Sequence, residues 1–94
     1  MTAHVRFVGS LQGLTGKHRL SVSIESPITL REMLGKIVEK NPGLRQVLAE
    51  PDFDGLATRM LVLVNRKEIS VLNGLETTIK DGDDVVLVPV VHGG

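Results

Sequence analysis

Ninety-four residues, 41% hydrophobic and 23% charged, supply one core and not two, so a single domain is expected, burying roughly 60–65% of its unfolded surface. Eleven Lys and Arg balance eleven Asp and Glu, and Phe7 and Phe53 are the only aromatic residues; with neither a basic face nor stacking platforms, no nucleic acid is expected as a partner. The chain has no cysteine, which excludes disulfides, thiolate metal sites and any nucleophilic or thioester-forming thiol of its own, so sulfur chemistry here needs a partner's thiol.

Residues 4–9 alternate, with Val5 and Phe7 on one face and His4, Arg6 and Val8 on the other, and stop at Gly9; the pattern predicts a first strand. Residues 9–17 (GSLQGLTGK) are turn-rich, and beyond them Leu20, Val22 and Ile24 alternate with Arg19, Ser21 and Ser23 up to Ser26-Pro27. That predicts a half-buried second strand, hairpin partner of the first. At Thr29 the period changes: Leu30, Met33, Leu34, Ile37 and Val38 form the stripe of a helix lying on a sheet. Thr29 and Glu32 spell a capping box, Ile28 is placed to staple onto Met33, and Asn41-Pro42-Gly43 ends the helix, with Asn or Gly suited to a left-handed exit. Gly35 inside this helix costs about 1 kcal/mol relative to Ala, which points to close backbone approach to the sheet or to plain tolerance.

Leu44, Val47 and Leu48 suggest a further short helical turn, and residues 51–55 (PDFDG) an exposed loop. Residues 60–64 (MLVLV) are apolar on both faces, as in a central strand; Asn65-Arg66-Lys67 turns the chain into an edge strand over residues 68–71. Residues 72–75 predict a loop with one helical turn. Asp81-Gly82-Asp83 is a tight turn feeding residues 85–91 (VVLVPVV), the most apolar segment, after which residues 92–94 have nothing to pack against. The order β-β-α-β-β-β gives an α+β roll, a mixed sheet of four to five strands with one main helix on one face and the first and last strands parallel in its middle. The expected division is one domain over residues 1–91 and a flexible tail over 92–94.

Most candidate sites fail on spacing. A phosphate-binding loop ending at Gly16-Lys17 needs Gly at position 11 and Ser or Thr at 18, where Leu11 and His18 stand, so a hairpin turn is expected. Asp81, Asp83 and Asp84 lack the further oxygens of a calcium loop and read as a turn whose carboxylates bond local backbone amides. His4, His18 and His92 have no ligand spacing, so no metal is expected, and no catalytic residues are found in the body of the chain. No stretch approaches the ~20 apolar residues of a bilayer span, and MTAHVRFVGS lacks a secretory apolar run; a cytoplasmic protein without a membrane partner is expected.

The C-terminus is different. A core strand runs directly into Gly93-Gly94, and two residues without Cβ let an extended tail thread a channel that excludes side chains, presenting the Gly94 carboxylate to a partner's site. A carboxylate becomes an electrophile once an oxygen attacks the α-phosphate of ATP to give an acyl-adenylate, which sulfide, a thiol or a lysine amine then attacks. A chance terminus is the alternative.

Four segments in register carry a resemblance over nearly the whole chain: VRFVGSLQGLTG at 5–16, TLREMLGKIVEKNPGLRQVL at 29–48, LVLVN at 61–65, and IKDGDDVVLVPVVHGG at 79–94 with its Asp-Gly-Asp turn and Gly-Gly finish. They resemble the β-grasp, ubiquitin-like sulfur carriers and modifiers, the family of the molybdopterin synthase small subunit, the thiamine sulfur carrier, the archaeal small modifier proteins and the ubiquitin-related modifier. The resemblance implies a non-enzyme whose Gly94 is adenylated by an E1-like enzyme, then used as a thiocarboxylate sulfur carrier or conjugated to target lysines. ATP belongs to that enzyme and no cofactor is bound. The implied partners are the E1-like enzyme, a sulfur donor or acceptor enzyme, and lysine-bearing target proteins. The ending Val-His-Gly-Gly is most similar to the ubiquitin-related modifier, and His92 therefore tilts the expectation towards a dual role. The alternatives are a molybdopterin synthase subunit donating sulfur within a stable complex and a non-covalent β-grasp binding module. As given, the chain ends at Gly94, so no C-terminal processing is expected.

One helix covers one face of the sheet, yet residues 85–88 are apolar on both. An exposed apolar patch usually marks a partner site. By likeness to ubiquitin's last strand, Val85 and Leu87 face the helix while Val86 and Val88 face outward, and with Val90 and His92 they form the expected docking surface for the E1-like enzyme.

Overall fold

A computed structural model describes residues 1–90 of the chain. Two strands begin it, β1 (Thr2–Phe7) and, after a short helix α1 (Ser10–Thr15), β2 (Arg19–Ser23). A two-residue strand β3 (Ile28–Thr29) leads into the main helix α2 (Leu30–Lys40). Then come β4 (Met60–Val64), β5 (Lys67–Glu68), β6 (Thr78–Ile79) and β7 (Asp84–Pro89). The main sheet has the order β2-β1-β7-β4-β5, with β1 and β7 parallel and the other pairings antiparallel. The expected placing of first and last strands side by side in the middle is therefore what forms. β3 and β6 make a separate antiparallel ladder, Ile28 opposite Ile79.

The helix forms where its local signals are written. Thr29 Oγ1 accepts from the Glu32 N–H (3.1 Å) and Glu32 Oε1 accepts from the Thr29 N–H (3.2 Å), closing the capping box. Leu30, Met33, Leu34, Ile37 and Val38 are all buried against the sheet. Its end differs from expectation: Asn41 leaves at φ −134° rather than left-handed, because its side-chain Nδ2 donates to the Ile37 carbonyl (3.1 Å) and Pro42 opens a 3-10 turn over Pro42–Leu44. Gly35 is not a close-approach site; a Cβ there would meet nothing within 4 Å. The helical turn expected after it is present, with the Leu48 N–H donating to the Leu44 carbonyl (2.9 Å) and both side chains buried.

Three further segments depart from the pattern. Residues 9–17 are not a plain hairpin turn: Gly9 at φ +62° and Gly16 at φ +71° punctuate α1, whose Leu11 is buried. α1 packs against Pro42–Leu44 and the end of β7, and that tertiary contact holds a helix too short to stand alone. The loop 51–55 is anchored rather than exposed, since Phe53 is only 3% exposed. Arg31 fastens this loop to α2, bonding the Asp52 carbonyl and pairing with Asp54 (3.0 Å) and Glu76 (3.0 Å). The edge strand is two residues long, because Glu68 Oε2 accepts from the Ser70 N–H (3.0 Å) and turns Ile69–Val71 into a 3-10 helix that buries Ile69. No helix among the described residues is long and apolar enough to cross a membrane.

Candidate functional site

The candidate site is the outward face of β7 and its neighbours. Register puts Arg6, Val86 and Leu63 side by side across β1, β7 and β4, and Val88 beside Leu61. Val85 and Leu87 point the other way, into the core, and are fully buried. The outward residues are graded along the strand: Val86 is 9% exposed, Val88 half-buried and Val90 42% exposed. Val86 is thus more enclosed than a bare sheet face would leave it, flanked by the Arg6 stem and Leu63. The open part of the strip is Val88 with Leu61, 40% exposed, and Val8, 39% exposed. Leu61 and Val8 were not singled out from sequence; the signal was there in a strand apolar on both faces and in the alternation of residues 4–9.

The root of β7 is polar and tightly tied. Asn65 and Arg66 have φ of +49° and +72°, the paired left-handed residues of a two-residue hairpin between β4 and β5. Asn65 Nδ2 donates to Asp83 Oδ1 (2.9 Å), and Asn65 Oδ1 accepts from the Asp84 N–H (2.9 Å). Asp83 Oδ2 accepts from the Lys80 N–H (2.8 Å), the local turn bond expected of it, whereas Asp81 Oδ1 reaches across to the Thr2 N–H (2.7 Å). Arg6 pairs with Asp84 (3.0 Å) on the outward face. At the far end, the Val8 N–H bonds the Leu87 carbonyl (3.2 Å) and the Val90 N–H the Arg59 carbonyl (2.9 Å), so β7 is held on both sides up to the last described residue.

Chemically, this face is an apolar strip with the Arg6–Asp84 ion pair at its root. His4 Nδ1 lies 3.3 Å from Ser21 Oγ on the same face, but no carboxylate among the described residues orients that histidine as a general base would require. Glycines Gly93 and Gly94, and His92, lie outside the described residues.

Comparison with known proteins agrees with this architecture. The chain matches the ThiS family over residues 5–94. It is 31% identical over 67 residues to the sulfur carrier protein CysO of Mycobacterium tuberculosis, covering 70% of this chain and 72% of that one. It is 26% identical to small archaeal modifier protein 3 of Haloferax volcanii, with both chains covered in full. Among solved structures, small archaeal modifier protein 1 of Methanosarcina acetivorans superposes with a TM-score of 0.82 at 28% identity, covering 99% of this chain and 96% of that one. A β-grasp sheet with a polar-rooted central strand, and a family match that runs from that sheet through Gly94, place this chain in the ThiS family of ubiquitin-fold sulfur carriers and small protein modifiers.

Proposed function

We propose that the Gly94 carboxylate is the reactive group of this protein and that an E1-like enzyme activates it. A carboxylate oxygen attacks the α-phosphorus of ATP and pyrophosphate leaves; the acyl-adenylate stays on the chain. Hydrosulfide then attacks the carbonyl carbon, AMP leaves with the loss of one proton to solvent, and the product is a thiocarboxylate. Where the nucleophile is a lysine amine, it loses a proton, AMP leaves, and an isopeptide bond joins Gly94 to the target. Carrying sulfur and modifying proteins thus share the first step, in keeping with relatives that include a sulfur carrier and a protein modifier.

The observation that carries this reading is the continuity of β7 with Gly-Gly. The strand is anchored by ladders to β1 and β4, so a partner docking on Val88, Leu61 and Val8 receives the following residues from a fixed origin. Glycines at 93 and 94 then enter a narrow site without side-chain clash. Val86 and Val90 extend that docking strip at its two ends, and His92 lies between it and Gly93.

A tagged chain and one lacking Gly93-Gly94 test this together. ATP–pyrophosphate exchange by the E1-like enzyme should be present for the first and absent for the second; normal exchange by the truncated chain refutes the reading. Mass spectrometry of denatured material from native cells then tells the uses apart. Because Lys80 is the last Lys or Arg, trypsin leaves residues 81–94 on a modified lysine. Such lysines identify a modifier, and free chain with sulfur replacing one terminal oxygen identifies a carrier.

A further inference from the structure

The opposite side of the sheet ends in an open edge. The Phe7 N–H donates to the His18 carbonyl (2.8 Å) and the Ile24 N–H to the Met1 carbonyl (2.9 Å). Alternation along an antiparallel ladder then turns the N–H and C=O groups of Leu20 and Val22 towards β1, and those of Arg19, Ser21 and Ser23 away from the sheet. β2 is the outermost strand, and Arg19, Ser21 and Ser23 are exposed. Lys17 and Glu25 flank this edge, both exposed, and neither they nor Arg19 has an ion-pair partner among the described residues.

We infer that this edge pairs with β2 of a second copy of the chain, antiparallel and two-fold, with Ser21 on the axis. In that register Ser21 faces Ser21, and Arg19 faces Ser23 in both directions. Every residue in these pairs turns its backbone groups outward, so about six N–H···O=C bonds close within the residues of the strand. The same register sets Lys17 of each copy opposite Glu25 of the other and places Arg19 diagonal to that Glu25. A long side chain spans that separation. The edge is self-complementary in charge as well as in hydrogen bonding. Slipping the register by two residues in one direction takes Lys17 away from Glu25. Slipping it in the other requires Glu25 as a ladder residue, although the strand ends at Ser23.

A five-residue ladder covers less than the area of a stable dimer interface, so the pair is weak and forms with concentration. β7 lies two strands in from the edge, and the axis runs through the sheet. Both copies therefore keep their Val88 strips open, on the same face of a continuous sheet, and one particle presents two chains to the partners of the docking strip.

Sedimentation of the full chain from micromolar to millimolar concentration should show a monomer–dimer equilibrium, and a monomer throughout overturns the inference. Ser21→Pro removes one outward N–H and leaves the β1 ladder intact, as proline is tolerated on edge strands; it should abolish the dimer. Lys17→Glu should weaken association, and adding Glu25→Lys should restore it; failure to restore refutes the register. The absence of native cysteine gives a direct readout. Ser21→Cys places two thiols across the axis within disulfide reach, whereas in Arg19→Cys and Ser23→Cys like positions lie roughly 13 Å apart. Oxidation should cross-link the Ser21→Cys variant about tenfold faster than the other two. Equal rates at all three positions mean random collision and overturn the proposal.

Discussion

Asn65 is the residue whose replacement best tests how β7 is anchored, because hydrogen bonding and backbone conformation at that site are separable. Its side chain makes two bonds, to Asp83 Oδ1 and from the Asp84 N–H, each 2.9 Å. Its φ is +49°. Asp83 is 6% exposed, so removing the amide leaves a carboxylate oxygen without its donor and with little water to replace it. A bond to a charged acceptor contributes about 1.5–3 kcal/mol and the bond to a backbone N–H about 0.5–1.5 kcal/mol. Asn65→Gly keeps the left-handed backbone and should cost about 2–4 kcal/mol. Asn65→Ala also places a Cβ in the left-handed region and should cost about 1 kcal/mol more. Urea unfolding followed by far-ultraviolet circular dichroism measures both, since the chain has no Trp or Tyr for fluorescence. The midpoint should fall at constant slope. A loss below about 1 kcal/mol for Asn65→Gly, or equal losses for the two variants, would refute the reasoning.

Gly35→Ala should stabilise the protein by about 0.5–1 kcal/mol, because the added Cβ meets nothing within 4 Å and helix propensity rises; destabilisation in the same unfolding assay would show a hidden contact. Val88→Asp is expected to fold at a cost of about 1 kcal/mol, since the site is half-exposed, yet to lose more than about tenfold in ATP–pyrophosphate exchange with the E1-like enzyme. Normal exchange by the folded variant rules out docking at this strip. Hydrogen bonds from the Ser70 side chain and backbone hold the Glu68 carboxyl below the ordinary glutamate range. A depressed folded value gives a contribution that is present above the unfolded value and fades as pH falls through the folded one. A carbon-detected NMR titration should place the Glu68 midpoint below that of an unstructured glutamate, with Ser70→Ala moving it up; a midpoint unmoved by that substitution contradicts the assignment.

The features legible in the sequence are those whose physics is local. Thr29 and Glu32 cap a helix by bonds spanning three residues, and the stripe from Leu30 to Val38 follows from the helical period alone. The alternation in residues 4–9 and the apolar run of residues 85–91 likewise mark strands without reference to anything distant. Even the pairing of β1 with β7 follows from a short list of ways to cover one sheet with one helix. Of the candidate site, the alternation of Val85 and Leu87 inward against Val86 and Val88 outward follows from the two-residue period of a strand.

Tertiary structure decided what depends on neighbours far away in the chain. Leu11 turns a glycine-rich connection into a helix because residues 42–44 and the end of β7 lie beside it. Phe53 is buried in a loop that Arg31, from α2, holds through Asp54 while also pairing with Glu76. Ile28 meets Ile79 in a ladder that no periodicity announces. The extent of the outward apolar strip belongs to the same class: Val86 is closed over by Arg6 and Leu63 while Leu61 and Val8 open beside Val88, and only the register of three strands sets which of these outward residues touch. Periodicity assigns a side chain to a face; what covers that face is fixed by contacts between segments from opposite ends of the chain, whose relative placement no local pattern encodes.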